Sequence, residues 1–140
     1  MDHSKKDILQ AYTLKFLEAA LRTDRQQSLR HADGHGRKSR DCGDTVGFFI
    51  ALQEDRIRTI TYEINGCINT NACANAVIDL LEGQPLSKAW RLKPENVADY
   101  LESLPSHEFH CAELAVGALC LALADAREKQ RSPWKKLYVR

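Results

Sequence analysis

The sequence predicts an α+β protein in which a small antiparallel sheet carries helices packed on one face. Residues 45–52 (TVGFFIAL) and 57–64 (IRTITYEI) alternate apolar and polar positions with the period of a half-buried strand. Only the polar Gln53–Arg56 separates them, so they form a hairpin with one buried face. Segments with apolar residues three and four apart flank the hairpin on both sides, which is the pattern of amphipathic helices. With 140 residues, 44% of them hydrophobic, the chain is long enough for one core, so a single domain 1–140 is expected, with its core at about 40–126.

Residues 8–21 put Ile8, Leu9, Tyr12, Phe16, Leu17 and Ala20 on one stripe and predict an N-terminal helix over about 6–22. Gln10, Lys15 and Glu18 interrupt it and no small-residue cleavage site follows, which argues against a signal peptide. Residues 22–40 are polar and basic without a sustained period and predict a mobile loop with room for a short edge strand. In the hairpin, Val46, Phe48, Ile50 and Leu52 share one face, and Ile60, Tyr62 and Ile64 stand against Thr61 and Glu63.

Asn65-Gly66 ends the second strand, and Cys67 opens a helix carrying Ala72, Ala76, Val77, Leu80 and Leu81 that Gly83 stops. Residues 85–92 predict a short helix. Pro94 begins another at the favoured first-turn position, running through Val97 and Leu101 and closed by Pro105. Residues 111–126, with Leu114, Val116, Leu119, Leu121 and Leu123, predict a helix covered on most sides. The basic stretch 129–140, with Trp134 and Tyr138, predicts a frayed end.

Twenty basic residues against nineteen acidic ones give a net charge of +1, so no whole-protein field points to nucleic acid or an anionic membrane as partner. No segment approaches the unbroken run of roughly 18 apolar residues that a membrane-spanning helix needs. A soluble, cytoplasmic protein is expected. The five cysteines are an odd number in a chain without an export signal, which argues against a disulfide framework and for core packing, metal binding or sulfur chemistry.

Three of those cysteines stand at comparable punctuation: Cys42 ahead of the first strand, Cys67 after the second, Cys111 at the start of the last helix. The beginning of one hairpin strand and the end of its partner share an edge, so Cys42 and Cys67 are expected close together. If the last helix points its N-terminus at the same edge, His110 and Cys111 complete a cluster, and Asp44, two residues beyond Cys42, faces the same side. Three thiolates with an imidazole or a carboxylate suit zinc or an iron-sulfur cluster. Helix N-termini favour thiolate over thiol, so Cys67 and Cys111 are both expected to be reactive. Cys120 sits mid-helix among leucines and alanines and is expected in the core. His3, His31, His35 and His107 are expected to face solvent. The basic run 36–40 is equally a solvated loop or a contact for an acidic partner.

DCGD (41–44), NGC (65–67) followed by a small-residue helix, and LPSHEFHCAELA (104–115) resemble, in order and spacing, the three signature segments of the U-type iron-sulfur cluster assembly scaffolds, the IscU and NifU N-terminal family. The resemblance covers about 40–125, with a weaker echo at 12–17. It implies a three-stranded antiparallel sheet with helices on one side. Cys42, Cys67 and Cys111 then bind a transient [2Fe-2S] cluster or, in isolated protein, zinc or iron. Asp44 matches the weak, exchangeable ligand and His110 the histidine beside the last cysteine, either being the fourth member. Cys111 matches the acceptor of persulfide sulfur from a cysteine desulfurase, and apo-proteins are the recipients of the cluster.

The chain also departs from the family pattern. Ile68-Asn69-Thr70-Asn71 stands where the family has a glycine and a serine-rich opening, and Cys73 is an additional thiol that helix periodicity turns away from Cys67. Ser106, His107 and Glu108 replace a segment, with its basic residue, that a dedicated chaperone reads in the family. The Asn-Pro-Arg-Asn type segment is absent. The expectation is a divergent, non-enzymatic scaffold and carrier that accepts sulfur and iron and passes a cluster to clients. The alternatives are a persulfide-carrying sulfur-transfer accessory and a zinc-binding structural or regulatory protein. A hydrolytic zinc enzyme ranks below these, since neither H-E-x-x-H nor H-x-E with P-C-x-x-C occurs.

Overall fold

A computed structural model describes residues 13–41 and 43–132. Within them the chain runs α1 (Leu14–Leu21), β1 (Gly34–Ser39), β2 (Thr45–Gln53), β3 (Arg56–Asn65), α2 (Ile68–Leu81), α3 (Leu86–Trp90), α4 (Pro94–Leu101), a 3-10 turn (Ser106–Glu108) and α5 (Phe109–Arg131). The strands make one antiparallel sheet in the order β1-β2-β3. Residues 6–12 of the expected first helix, Cys42, and residues 133–140 of the expected tail lie outside the described residues.

The alternating pattern becomes a hairpin. Val46, Phe48 and Ile50 of β2 and Ile60 and Tyr62 of β3 turn inward and are fully buried. A register shift between Ala51 and Leu52 breaks the phase, and beyond it Leu52 is only partly covered while Ile57 opposite is buried. Because β2 is the central strand, Phe49 and Ala51 are buried on its other face too, so it is covered more completely than the predicted single face.

β1 occupies the place where the sequence left room for an edge strand, and its two glycines explain both its formation and its faint signal. A β-carbon on Gly36 would overlap the Ala122 amide and the Ala118 carbonyl, and one on Gly34 would overlap the Ala122 carbonyl. Helix α5 therefore crosses β1 backbone against backbone, which only glycine permits. Asp125 fastens the crossing by accepting from the His35 amide at 2.8 Å. Leu114, Ala115, Ala118, Leu119, Ala122 and Leu123 line the buried side of α5. The stretch Ser106–Arg131 is long and apolar enough for a membrane span by length and composition, although Glu113 and Asp125 keep it from being the unbroken apolar run sought in the sequence, and more than half of its most apolar 18 residues is buried inside the molecule. The helix also runs through Lys129–Arg131, where a frayed end was expected; Lys129 is buried and pairs with Asp125 at 2.9 Å.

On the opposite flank α1 packs against α2 through Phe16, Ala19 and Ala20. Burying Phe16 is worth about 2–3 kcal/mol. The end of α1 is held by side chains of α2 and β3. Asn71 Nδ2 donates to the Ala20 and Arg22 carbonyls at 2.9 and 2.8 Å, and Asn75 Nδ2 donates to those of Ala19 and Arg22 at 2.8 and 2.9 Å. Tyr62 OH donates to Asn71 Oδ1 at 2.6 Å and accepts from Asn75 Nδ2 at 3.2 Å. The segment that follows has no regular period but is anchored, which corrects the mobile loop expected there. Arg22 pairs with Asp79 at 2.7 Å, Arg25 grips both oxygens of Glu82, and the Arg25 carbonyl accepts from the Tyr62 amide at 2.9 Å. Helices α3 and α4 lie where the prolines predict, although α4 stops at Glu102, in the left-handed region with φ of 66°, rather than at Pro105.

Candidate functional site

Two helices begin beside one end of the hairpin. Thr45 pairs with Asn65 at the last rung between β2 and β3, so the chain entering through Gly43-Asp44 and the chain leaving through Gly66-Cys67 lie side by side. Cys67 is the N-cap of α2 and is exposed. Glu108 is the N-cap of α5, and Cys111 is buried in that helix's first turn. In a helix, positions three apart share a face, so Glu108 stands over Cys111, and Thr70 stands over Cys67.

The result is a chain of contacts centred on two sulfurs. Thr70 Oγ1 lies 3.6 Å from Cys67 Sγ and donates to Cys111 Sγ, also at 3.6 Å. Cys111 Sγ in turn donates to Glu108 Oε2 at 3.4 Å, and His110 Nε2 is 3.4 Å from the same oxygen. One ligand atom each of Cys67, Glu108 and Cys111 lies within 4.8 Å of the others. Of the residues predicted from sequence, Cys67 and Cys111 thus come together and His110 adjoins them through Glu108. The Asp44 carboxylate is not among the atoms gathered within 4.8 Å, and Cys42 lies outside the described residues.

The two sulfurs differ electrostatically. Burial pushes the Cys67 thiol up, but hydrogen bonds from the backbone and side chains of Thr70 and Asn69 outweigh it and hold it below the usual thiol value. Cys111 is pushed up to about 12, first by burial, against which the Thr70 hydroxyl works, and then by the negative charges of Cys67 and Glu108. The expectation of two activated thiolates therefore fails at Cys111, where burial and neighbouring negative charge exceed the helix-end field. Cys73 is fully buried behind the pair, and burial raises its thiol strongly, with Cys111, Cys67 and Glu108 adding to the effect.

Glu108 and Thr70 are the residues that sequence reasoning passed over. Each stands three residues from a cysteine at a helix start, and that spacing is the signal that would have found them. His35 departs from expectation differently: its ring stacks on Phe49 with centroids 4.3 Å apart instead of facing solvent. His31 and His107 are exposed as expected, and Cys120 is half-buried. The basic run lies on the edge strand, and a hollow of about 310 Å³ beside the site is lined by Lys38, Arg40, His110, Glu113 and Leu114.

A three-stranded sheet carrying helices, with a carboxylate and two thiols converging at two helix starts, defines an α+β protein with a cysteine-based candidate metal site. Residues 16–133 match the NifU-like N terminal domain family, and the chain belongs to that family. It is 30% identical over 98 residues to the iron-sulfur cluster assembly scaffold protein IscU 1 of Archaeoglobus fulgidus, a match covering 69% of this chain and 64% of that protein. It is 27% identical over 122 residues to the corresponding IscU protein of Aquifex aeolicus, covering 85% and 78% of the two chains. The chain thus spans slightly less than two thirds of the Archaeoglobus relative's length. Among solved structures it is similar to the N-terminal NifU-like protein of Brucella abortus, with a TM-score of 0.69 and 18% identity over 87% of this chain and 98% of that one. It is also similar to a SUF-system scaffold protein from Fervidobacterium islandicum, with a TM-score of 0.67 and 16% identity over 81% and 97%. These structures share the fold expected from the sequence.

Proposed function

We propose that this protein is an iron-sulfur cluster assembly scaffold and carrier. It receives sulfur and iron, holds a [2Fe-2S] unit as cargo rather than as a resident cofactor, and passes it to apo-proteins without itself being an enzyme. The observation that carries the reading is the meeting of Cys67 and Cys111, 44 positions apart in the sequence, at the starts of two helices beside the edge where Gly43-Asp44 enters the sheet. Cys42 completes the three thiolates, and Asp44 or His110 supplies the weaker contact that lets the cargo leave. Membership of the NifU-like N terminal family and the scaffold names of its IscU relatives support the same reading.

The sulfur donor is a cysteine desulfurase. The resemblance points to Cys111 as the persulfide acceptor, but Cys67, exposed and held toward thiolate, is better placed to be the first sulfur to react. The exposed basic edge of β1, beside the hollow that reaches His110, suits an acidic partner surface. A chaperone reading the 104–108 segment would meet Ser106, His107 and Glu108 in a 3-10 turn in place of the family's basic residue.

Anaerobic reconstitution with iron and sulfide, followed by visible absorption, tests the reading on the natural chain and on Cys42→Ser, Cys67→Ser and Cys111→Ser. The natural chain should develop a cluster chromophore and each variant should lose it. A chromophore that survives any one substitution removes that cysteine from the site, and a natural chain that never develops one, while retaining zinc tightly, overturns the scaffold in favour of a zinc protein.

A further inference from the structure

We infer that the hollow between the end of α2 and helices α3 and α4 is a binding site for a small organic acid, an apolar chain or ring that carries one anionic head. The inference goes beyond the scaffold reading and does not depend on it.

The hollow lies away from the cysteines. Leu80 and Leu81 stand at the far end of the helix that Cys67 opens, about 20 Å along its axis. The volume is about 600 Å³, inside the range of about 300–1,000 Å³ usual for small-molecule sites. Leu80, Leu81, Leu92 and Tyr100 line it with mostly apolar surface. Tyr100 is held in place before any ligand arrives. Its hydroxyl donates to Asp79 Oδ2 at 2.9 Å, Arg22 fixes the other oxygen of Asp79 at 2.7 Å, and Lys15 Nζ lies 4.5 Å from the centre of the Tyr100 ring. A wall fixed in advance spares the ligand the cost of ordering it.

The rim selects the head group. Lys88 and Arg91, three positions apart at the end of α3, both border the hollow. Arg91 Nε donates to the Ser87 carbonyl at 3.3 Å, which leaves both terminal nitrogens of the guanidinium for a ligand. Neither Arg91 nor Lys88 forms an ion pair among the described residues. On α4, Asn96 Oδ1 accepts from the Lys93 amide at 2.9 Å, so Asn96 Nδ2 is the end left to donate. Asp99 is the opposing charge among the lining residues, and the two cations outweigh it. An exposed ion pair alone is worth little, so an acid without a body gains almost nothing here. Burial of an apolar body supplies the affinity, and the contacts of the head supply the choice.

Fluorescence titration of the full chain with anilinonaphthalene sulfonate, an aromatic body bearing one sulfonate, tests the site, and displacement of that probe by octanoate tests the ligand class. The natural chain should bind the probe saturably, and octanoate should displace it. Acetate, which lacks the body, and octanol, which lacks the head, should displace far less at the same concentration. Lys88→Gln/Arg91→Gln should bind the probe about tenfold more weakly or worse. Both positions are exposed, so the circular dichroism and melting temperature of that variant should stay near those of the natural chain. Lys38→Gln/Arg40→Gln, which removes the same charge from the hollow beside His110, should bind the probe as the natural chain does. The inference is overturned by a natural chain that shows no saturable binding, by unchanged affinity in Lys88→Gln/Arg91→Gln, by equal displacement with octanol or acetate, or by a loss that follows Lys38→Gln/Arg40→Gln instead. None of these measurements involves iron, sulfide or a cysteine, so their failure and the failure of the scaffold reading are separate results.

Discussion

Two polar clusters sit a turn apart on α2. Around Asn71, Asn75 and Tyr62, nitrogen and oxygen atoms meet at 2.6–3.4 Å and grip the last carbonyls of α1. Around Cys67, Thr70, Cys111 and Glu108, the contacts run at 3.4–3.6 Å and each involves sulfur. The first cluster uses its hydrogen-bonding capacity to hold a helix; the second makes only long, weak contacts to its two sulfurs. A sulfur that holds weak internal partners is a sulfur that can exchange them, whereas a buried amide that lost its partners would destabilise the whole flank.

Substitutions should separate the two clusters by what they damage. The largest effect is expected for Asn71→Ala, which strips the Ala20 carbonyl of its side-chain donor, weakens the hold on Ala19 and Arg22, and leaves a void; urea denaturation should show a loss of about 3 kcal/mol. Tyr62→Phe removes one hydroxyl from the same cluster and orphans Asn71 Oδ1, for about 1–2 kcal/mol by the same measurement. Thr70→Val, in the sulfur cluster, should shift stability by less than about 1 kcal/mol. Its signature lies in reactivity. Thr70's hydrogen bonds help hold the Cys67 thiol low, so losing the hydroxyl moves the pH profile of Cys67 alkylation to higher pH and slows the reaction at neutral pH. If Thr70→Val destabilises as much as Asn71→Ala, the clusters do not differ in kind.

The same contrast marks what the sequence could show. The hairpin was legible because Val46, Phe48, Ile50, Ile60 and Tyr62 combine strand-favouring side chains with strict alternation. The helix starts were legible from Gly66-Cys67 and from Pro94. β1 was faint because Gly34 and Gly36 have no strand preference of their own; they serve the passage of α5, a contact made about 85 residues further along the chain. At the site, the convergence of Cys67 and Cys111 followed from their positions at structural punctuation. The three-residue spacing of Thr70 from Cys67 and of Glu108 from Cys111 is local, but that the two pairs meet depends on α2 and α5 beginning side by side. The raised Cys111 thiol was missed for a related reason, since helix-end charge is a local property while burial belongs to the assembled core.

The bare crossing of α5 over Gly34 and Gly36 fixes one half of the site to the sheet. With main chains touching and no side chains between them, the long helix has no cushion on which to slide, so Cys111 rides on a track fixed to the sheet. Cys67 stands at the exposed N-cap of a different helix. The two sulfurs are therefore unequally sheltered, and anything that approaches from solvent meets Cys67 before it meets Cys111.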